Sequence, residues 1–198
     1  VAEQLVVSNN PAIIVPDGLP ALYGERPFPV TVGAGEMYFM PERCDLEPRV
    51  RAATLLALVG ETNKSAGKLL RLSEFTAKRA ILEGMHSFAL PDRFTLTYYA
   101  FSQAMCQRTR SIPPYDNLLP RMVEVVDAMG REGVADAAEA THIKPVTVGT
   151  YQSQVSKRTG VKGGRNRLVL MGIMSGQIGN FAIVDPEVIR AATENTTS

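Results

Sequence analysis

Two stretches of this 198-residue chain set hydroxyl, basic and apolar side chains at helical spacing. The first reads Ser73-Glu74-Phe75-Thr76-Ala77-Lys78-Arg79. The second reads Lys144-Pro145-Val146-Thr147-Val148-Gly149-Thr150, with Ser153 and Lys157 further on. Lysine and arginine on one helix face can pair with guanine edges or phosphate, hydroxyls can bond phosphate oxygens, and apolar groups can meet a thymine methyl. Such a set of groups would suit contact with a nucleic-acid duplex. Covalent catalysis has less to work with: the two histidines, His86 and His142, lie in no metal or triad spacing, and no P-loop, dinucleotide or nucleophile-elbow motif occurs. The run Gly160-Val161-Lys162-Gly163-Gly164-Arg165 is glycine-rich and basic but lacks phosphate-loop spacing. No catalytic residue, cofactor or metal is expected. Cys44 and Cys106 are far apart in sequence without partner histidines, and read as buried reduced thiols.

The elements that must position these side chains come as a repeat. Leu72 to Lys78 aligns with Ile143 to Gly149 at an offset of 71, and Leu46-Glu47-Pro48-Arg49 with Leu118-Leu119-Pro120-Arg121 at 72. Two copies are too few for a solenoid and indicate one small unit used twice. In the first copy, apolar periodicity predicts a helix from Glu47 to Gly60 and a second from Lys64 to Leu70 capped by Asn63. A third is capped by Ser73, burying Ala77, Ala80 and Ile81 and showing Phe75, Lys78 and Arg79 outward. A fourth opens at Pro91-Asp92 and runs through Met105. Residues 108–117 read as a stiff proline-containing linker. The second copy repeats the plan: Leu118 to Met129 ended by Gly130, Ala135 to Ala140, Pro145 to Arg158, and Arg165 to Ile178. Asp185 can cap a last short helix to Ala192, with 193–198 as a frayed tail.

The start of the chain differs. Gln4 to Val7, Ala12 to Val15, Pro29 to Val32 and Glu36 to Met40 are short β-rich runs divided by turn residues, predicting one or two hairpins against the helical body. At 45% apolar and 21% charged the composition is that of a globular chain, without a long apolar run to span a membrane. No basic stretch leads into an apolar core at the start, so a cytoplasmic location is expected. Net charge is +1, unevenly spread: about −4 over 1–45, +5 over 46–110, +2 over 111–180 and −2 beyond. The basic excess falls on the repeats, which suits nucleic-acid contact localised there.

A short turn between two helices, the second capped and bearing basic and hydroxyl residues, is the helix-turn-helix plan. Pro48-Arg49, Gly60, Asn63-Lys64, Leu72-Ser73, Thr76-Ala77-Lys78 and Asp92-Arg93 resemble the ordered motifs of the LuxR/NarL-type (GerE-like) DNA-binding domain. So do Pro120-Arg121, Ile143, Thr147-Val148, Arg158-Thr159-Gly160-Val161 and Asn166-Arg167. The resemblance covers about residues 46–106 and 117–178. Departures are Gly67 and Gly149 within helices, Lys144 in place of the capping serine, and Thr141 in place of leucine.

The resemblance implies that Asn63, Lys64, Thr76 and Thr147 touch phosphate. Phe75, Lys78 and Arg79 in one copy, and Val146, Gly149, Thr150 and Ser153 in the other, would face base edges. Phe75 and Val146 have a second reading as core residues. Lys144, Lys157 and Arg158 read as backbone contacts or surface charge, and Arg93 and Arg167 as packing or internal ion pairs. The expected architecture is mainly α: a β-rich segment over 1–45, tandem LuxR-like helix-turn-helix units over 46–110 and 111–180, and a short helix and tail over 181–198. The expected function is transcriptional regulation by sequence-specific binding of double-stranded DNA. Two dissimilar recognition helices in one chain would act as a pseudo-dimer on an asymmetric site. The alternatives are an architectural or recombination-accessory DNA binder and a protein-interaction module without DNA contact. RNA polymerase or another regulator is a possible partner through 1–45, and a homodimer is left open.

Overall fold

The computed structural model describes residues 3–164 and 166–194. Four strands form from the β-rich runs: β1 (Leu5–Asn9), β2 (Ala12–Val15), β3 (Phe28–Val32) and β4 (Gly35–Phe39). They pair antiparallel in sequence order, with β3 and β4 joined through Gly33-Ala34. Gly33 takes φ +59°, the left-handed conformation a two-residue hairpin turn requires. A short helix, α1 (Gly18–Tyr23), lies between β2 and β3. Alternation decides which sheet face is buried: Phe28, Val30 and Val32 enter the core, as do Ile13, Val15, Met37 and Phe39.

A fifth strand comes from the middle of the chain. β5 (Cys106–Arg110) pairs antiparallel with β4, so the sheet order is β1-β2-β3-β4-β5. This corrects both the helix expected to run through Met105 and the linker expected from residue 108. The helix stops at Ser102, and Arg108 is buried, its guanidinium donating to the Ile173 and Phe181 carbonyls.

The helical body holds α2 (Pro48–Leu58), α3 (Asn63–Leu70), α4 (Glu74–Ser87) and α5 (Arg93–Ser102), then α6 (Pro120–Glu132), α7 (Val134–Ala140), α8 (Pro145–Thr159) and α9 (Arg167–Met174). Proline at the first position of α2, α6 and α8 sits where a missing N–H costs nothing. Gly130 does not end α6. The helix continues to Glu132 and stops at Gly133, whose φ is +87°, while Gly130 lets Val169 pack close to the α6 backbone. Thr62, not Asn63, caps α3, its Oγ1 accepting from Ser65 N. The expected start of the fourth helix at Arg165 lies outside the described residues, as do residues 195–198 of the expected tail. α9 also ends at Met174, short of Ile178. α10 (Pro186–Glu194) follows Asp185, whose Oδ1 accepts from Glu187 N. It covers the other face of β4, where Ile189 meets Tyr38 and Met40.

Sheet and helices share one main core. The two helical quartets are joined by polar contacts as well as apolar ones. The last carbonyls of a helix lack intrahelical donors, and those after α2 find them in the second quartet. Asn166 Nδ2 donates to Leu58 O, Arg167 Nε to Val59 O and Gly164 N to Gly60 O. Arg167 also pairs with Glu61 at 2.6 Å, both side chains being buried.

Candidate nucleic-acid interface

The offset of 71 in the sequence reappears in the backbone. Arg71 (φ 57°) and His142 (φ 54°) are left-handed residues at the same step of the two turns. In each turn the next N–H reaches back to the preceding helix: Leu72 N to Gly67 O at 2.8 Å, and Ile143 N to Ala138 O at 2.9 Å. Ala66 and Ala137 are both fully buried, and so are Ala77 and Val148, the residues that seat α4 and α8. The two helices therefore leave their turns with the same face inward.

The same faces point outward. Phe75 and Val146 are each 75% exposed, which removes the core reading for both. Thr76 and Thr147 follow them, half-buried at the first turn of the helix. Ser73 Oγ caps α4 by accepting from Thr76 N at 3.0 Å, and it contacts Thr76 Oγ1 at 2.8 Å. α8 lacks a side-chain cap, because Lys144 stands at that position. Lys78 and Arg79 are exposed and paired with no carboxylate among the described residues. Together with Phe75, Leu82, Glu83 and His86 they make up one open face of α4. On α8, Gly149 is open, with nothing within 4 Å of where a Cβ would stand. Thr150 and Ser153, both exposed, donate their hydroxyls to the Val146 and Gly149 carbonyls. Lys144 and Lys157 are exposed at opposite ends of α8. Arg158 is tied down, donating to Asn117 O at 2.7 Å.

Asn63 differs from the expectation of a phosphate contact. Its Oδ1 accepts from Arg93 Nη2 at 2.6 Å, so the side chain anchors α3 to α5. Lys64 beside it is exposed. Arg93 and Arg167 act internally, as expected of them. The structure adds Arg49, which shares a concavity of about 300 Å³ with Phe75, Thr76 and Arg79. The Pro48-Arg49 pair had marked it as part of the repeat, but only the packing of α2 on α4 brings it to this face.

Away from this face, burial pushes the Cys44 thiol up to about 11 and raises that of Cys106 further. Both are buried and unpaired. Among the described residues no cluster of histidine, cysteine or carboxylates could hold a metal ion, and no helix is long and apolar enough to cross a membrane. Comparison with protein-family models, curated proteins and solved structures finds no match to this chain.

Proposed function

We propose that the chain binds double-stranded DNA sequence-specifically through two helix-turn-helix units, α3–α4 and α7–α8, and acts as a transcriptional regulator. The observation that carries this reading is the matched pair of helix starts, Phe75-Thr76 and Val146-Thr147. They follow turns of the same geometry and present an exposed apolar side chain before a half-buried threonine. In such a unit the second helix enters the major groove and the first crosses the backbone. Lys78 and Arg79 would then read base edges, with Lys64 and Arg49 on phosphate. α8 would offer Val146, Thr150, Ser153 and the bare backbone at Gly149. Because the two faces differ in chemistry, the preferred site is asymmetric.

Selection from a random duplex library at ~150 mM salt tests this. One enriched asymmetric motif with two half-sites about 10 bp apart is the expected result. A perfect palindrome, or no enrichment, would count against it. A second reading, a protein-binding module, is favoured by Leu82, 40% exposed on the same α4 face, and by the acidic Glu74 and Glu83 beside the cations. Under that reading Lys78→Ala and Arg79→Ala leave DNA binding unchanged.

A further inference from the structure

The two edges of the sheet are treated differently. At β5 the outer edge is met at its centre, where Arg108 bridges Ile183 in parallel and Val184 N donates to Arg108 O at 2.8 Å. At β1 no backbone hydrogen bond from another segment reaches the outer edge among the described residues. Exposed edges are ordinarily blunted by lysine, proline or a bulge; Leu5–Asn9 contains neither lysine nor proline, and its one irregularity lies between Val6 and Ser8. Instead β1 forms one wall of a groove of about 440 Å³ whose opposite wall is α3. Leu5, Leu19 and Leu69 give it half-buried apolar lining, and Val6 is 48% exposed at its rim. Lys68 and Arg71 stand on the α3 wall, exposed and without a carboxylate partner among the described residues. The acidic Glu3 lies on the β1 side, which confines any acidic occupant to the α3 side.

We propose that this groove binds an extended acidic segment of a partner protein as a sixth strand on β1. Main-chain hydrogen bonds to the open edge supply affinity, and side chains on alternate positions supply specificity. Carboxylates face Lys68 and Arg71, and apolar residues face Leu5, Leu19 and Leu69. The groove shares α3 and its turn with the first helix-turn-helix unit but uses none of the base-facing residues proposed on α4 and α8.

The test uses the full chain and synthetic peptides of about eight residues alternating valine with glutamate or threonine. Titration should show binding, with a lysine-for-glutamate peptide weaker by about tenfold or more. Strand pairing predicts a sharper signature: N-methylation of one alternate set of peptide residues abolishes binding, and of the other set does not. Lys68→Glu with Arg71→Glu, both on the surface, should invert the preference between the acidic and lysine peptides. Amide exchange should slow in β1 on binding. Equal binding of the acidic and lysine peptides, equal effects of the two methylated sets, or no binding at ~1 mM would overturn the proposal. A concentration-dependent dimer that protects β1 without peptide would assign the groove to a second copy of the chain, and also overturn it.

Discussion

Single side chains separate the functional readings. A good bidentate contact to a base is worth about 1–3 kcal/mol. Arg79→Ala and Lys78→Ala are therefore expected to weaken the selected site by that amount each and to relax preference at one base position, measured by titration of variant duplexes. Lys64→Ala should instead weaken all sequences alike and reduce the salt slope by about one. Gly149 gives a test of another kind. Alanine there meets no neighbour and should stabilise α8 by up to about 1 kcal/mol, because glycine is a poor helix former. If the backbone approaches DNA closely at this point, the same change lowers affinity while raising Tm. The two thiols supply a pH dependence. With Cys44 raised to about 11 and Cys106 raised by burial, the unfolded chain loses thiol protons at lower pH than the folded one. Stability is then full below the ordinary thiol range and falls as pH rises from ~9 toward 11. Cys44→Ala should make that decline shallower across the whole window, in urea midpoints measured against pH.

At the scale of elements, one carboxylate serves two helices. Asp92 Oδ1 caps α5 by accepting from Phe94 N at 2.9 Å, and its Oδ2 accepts from Val134 N at 2.8 Å, at the start of α7. Asp92→Ala removes both caps, each worth about 1 kcal/mol, and is expected to cost about 2 kcal/mol in urea unfolding. Ser73→Ala, which removes the single cap of α4, should cost about half that. The longer helices were legible in the sequence from start signals and apolar stripes, as with Ser73 before α4, Pro145 at α8 and Asp92 before α5, whereas the short α1 lies in a stretch whose Pro16-Asp17-Gly18 reads as a turn. The first four strands were legible from β-branched runs and turn residues. β5 was not. Cys106-Gln107-Arg108-Thr109-Arg110 has two arginines and little alternation, and becomes a strand because β4, some seventy residues earlier, offers an open edge. The cap of α3 was misplaced by one residue for a similar reason. Asn63 is an acceptable cap by type, but Arg93 takes its oxygen and Thr62 fills the role.

For the whole molecule, the two copies of the repeat are joined by buried polar contacts. The carbonyls that follow α2 are satisfied from Gly164, Asn166 and Arg167, and the Glu61–Arg167 pair is buried between the quartets. Heating should therefore give one transition with equal van't Hoff and calorimetric enthalpies. Arg167→Met leaves Glu61 as a buried unpaired carboxylate and is expected to cost about 3–5 kcal/mol, lowering Tm without splitting the transition. Two transitions would show that the quartets fold independently. The sequence by itself determined the helical repeat, its offset, the cap of α4 and the start of α5, because propensity, capping and apolar period act over a few residues, while the exposure of Phe75 and Val146 was settled by packing. Tertiary structure alone decided the fifth strand, the inward use of Asn63, the shared core and the open edge at β1. Each of these depends on a partner distant in the chain, and no local pattern encodes where a distant hydrogen-bonding group will be left unpaired.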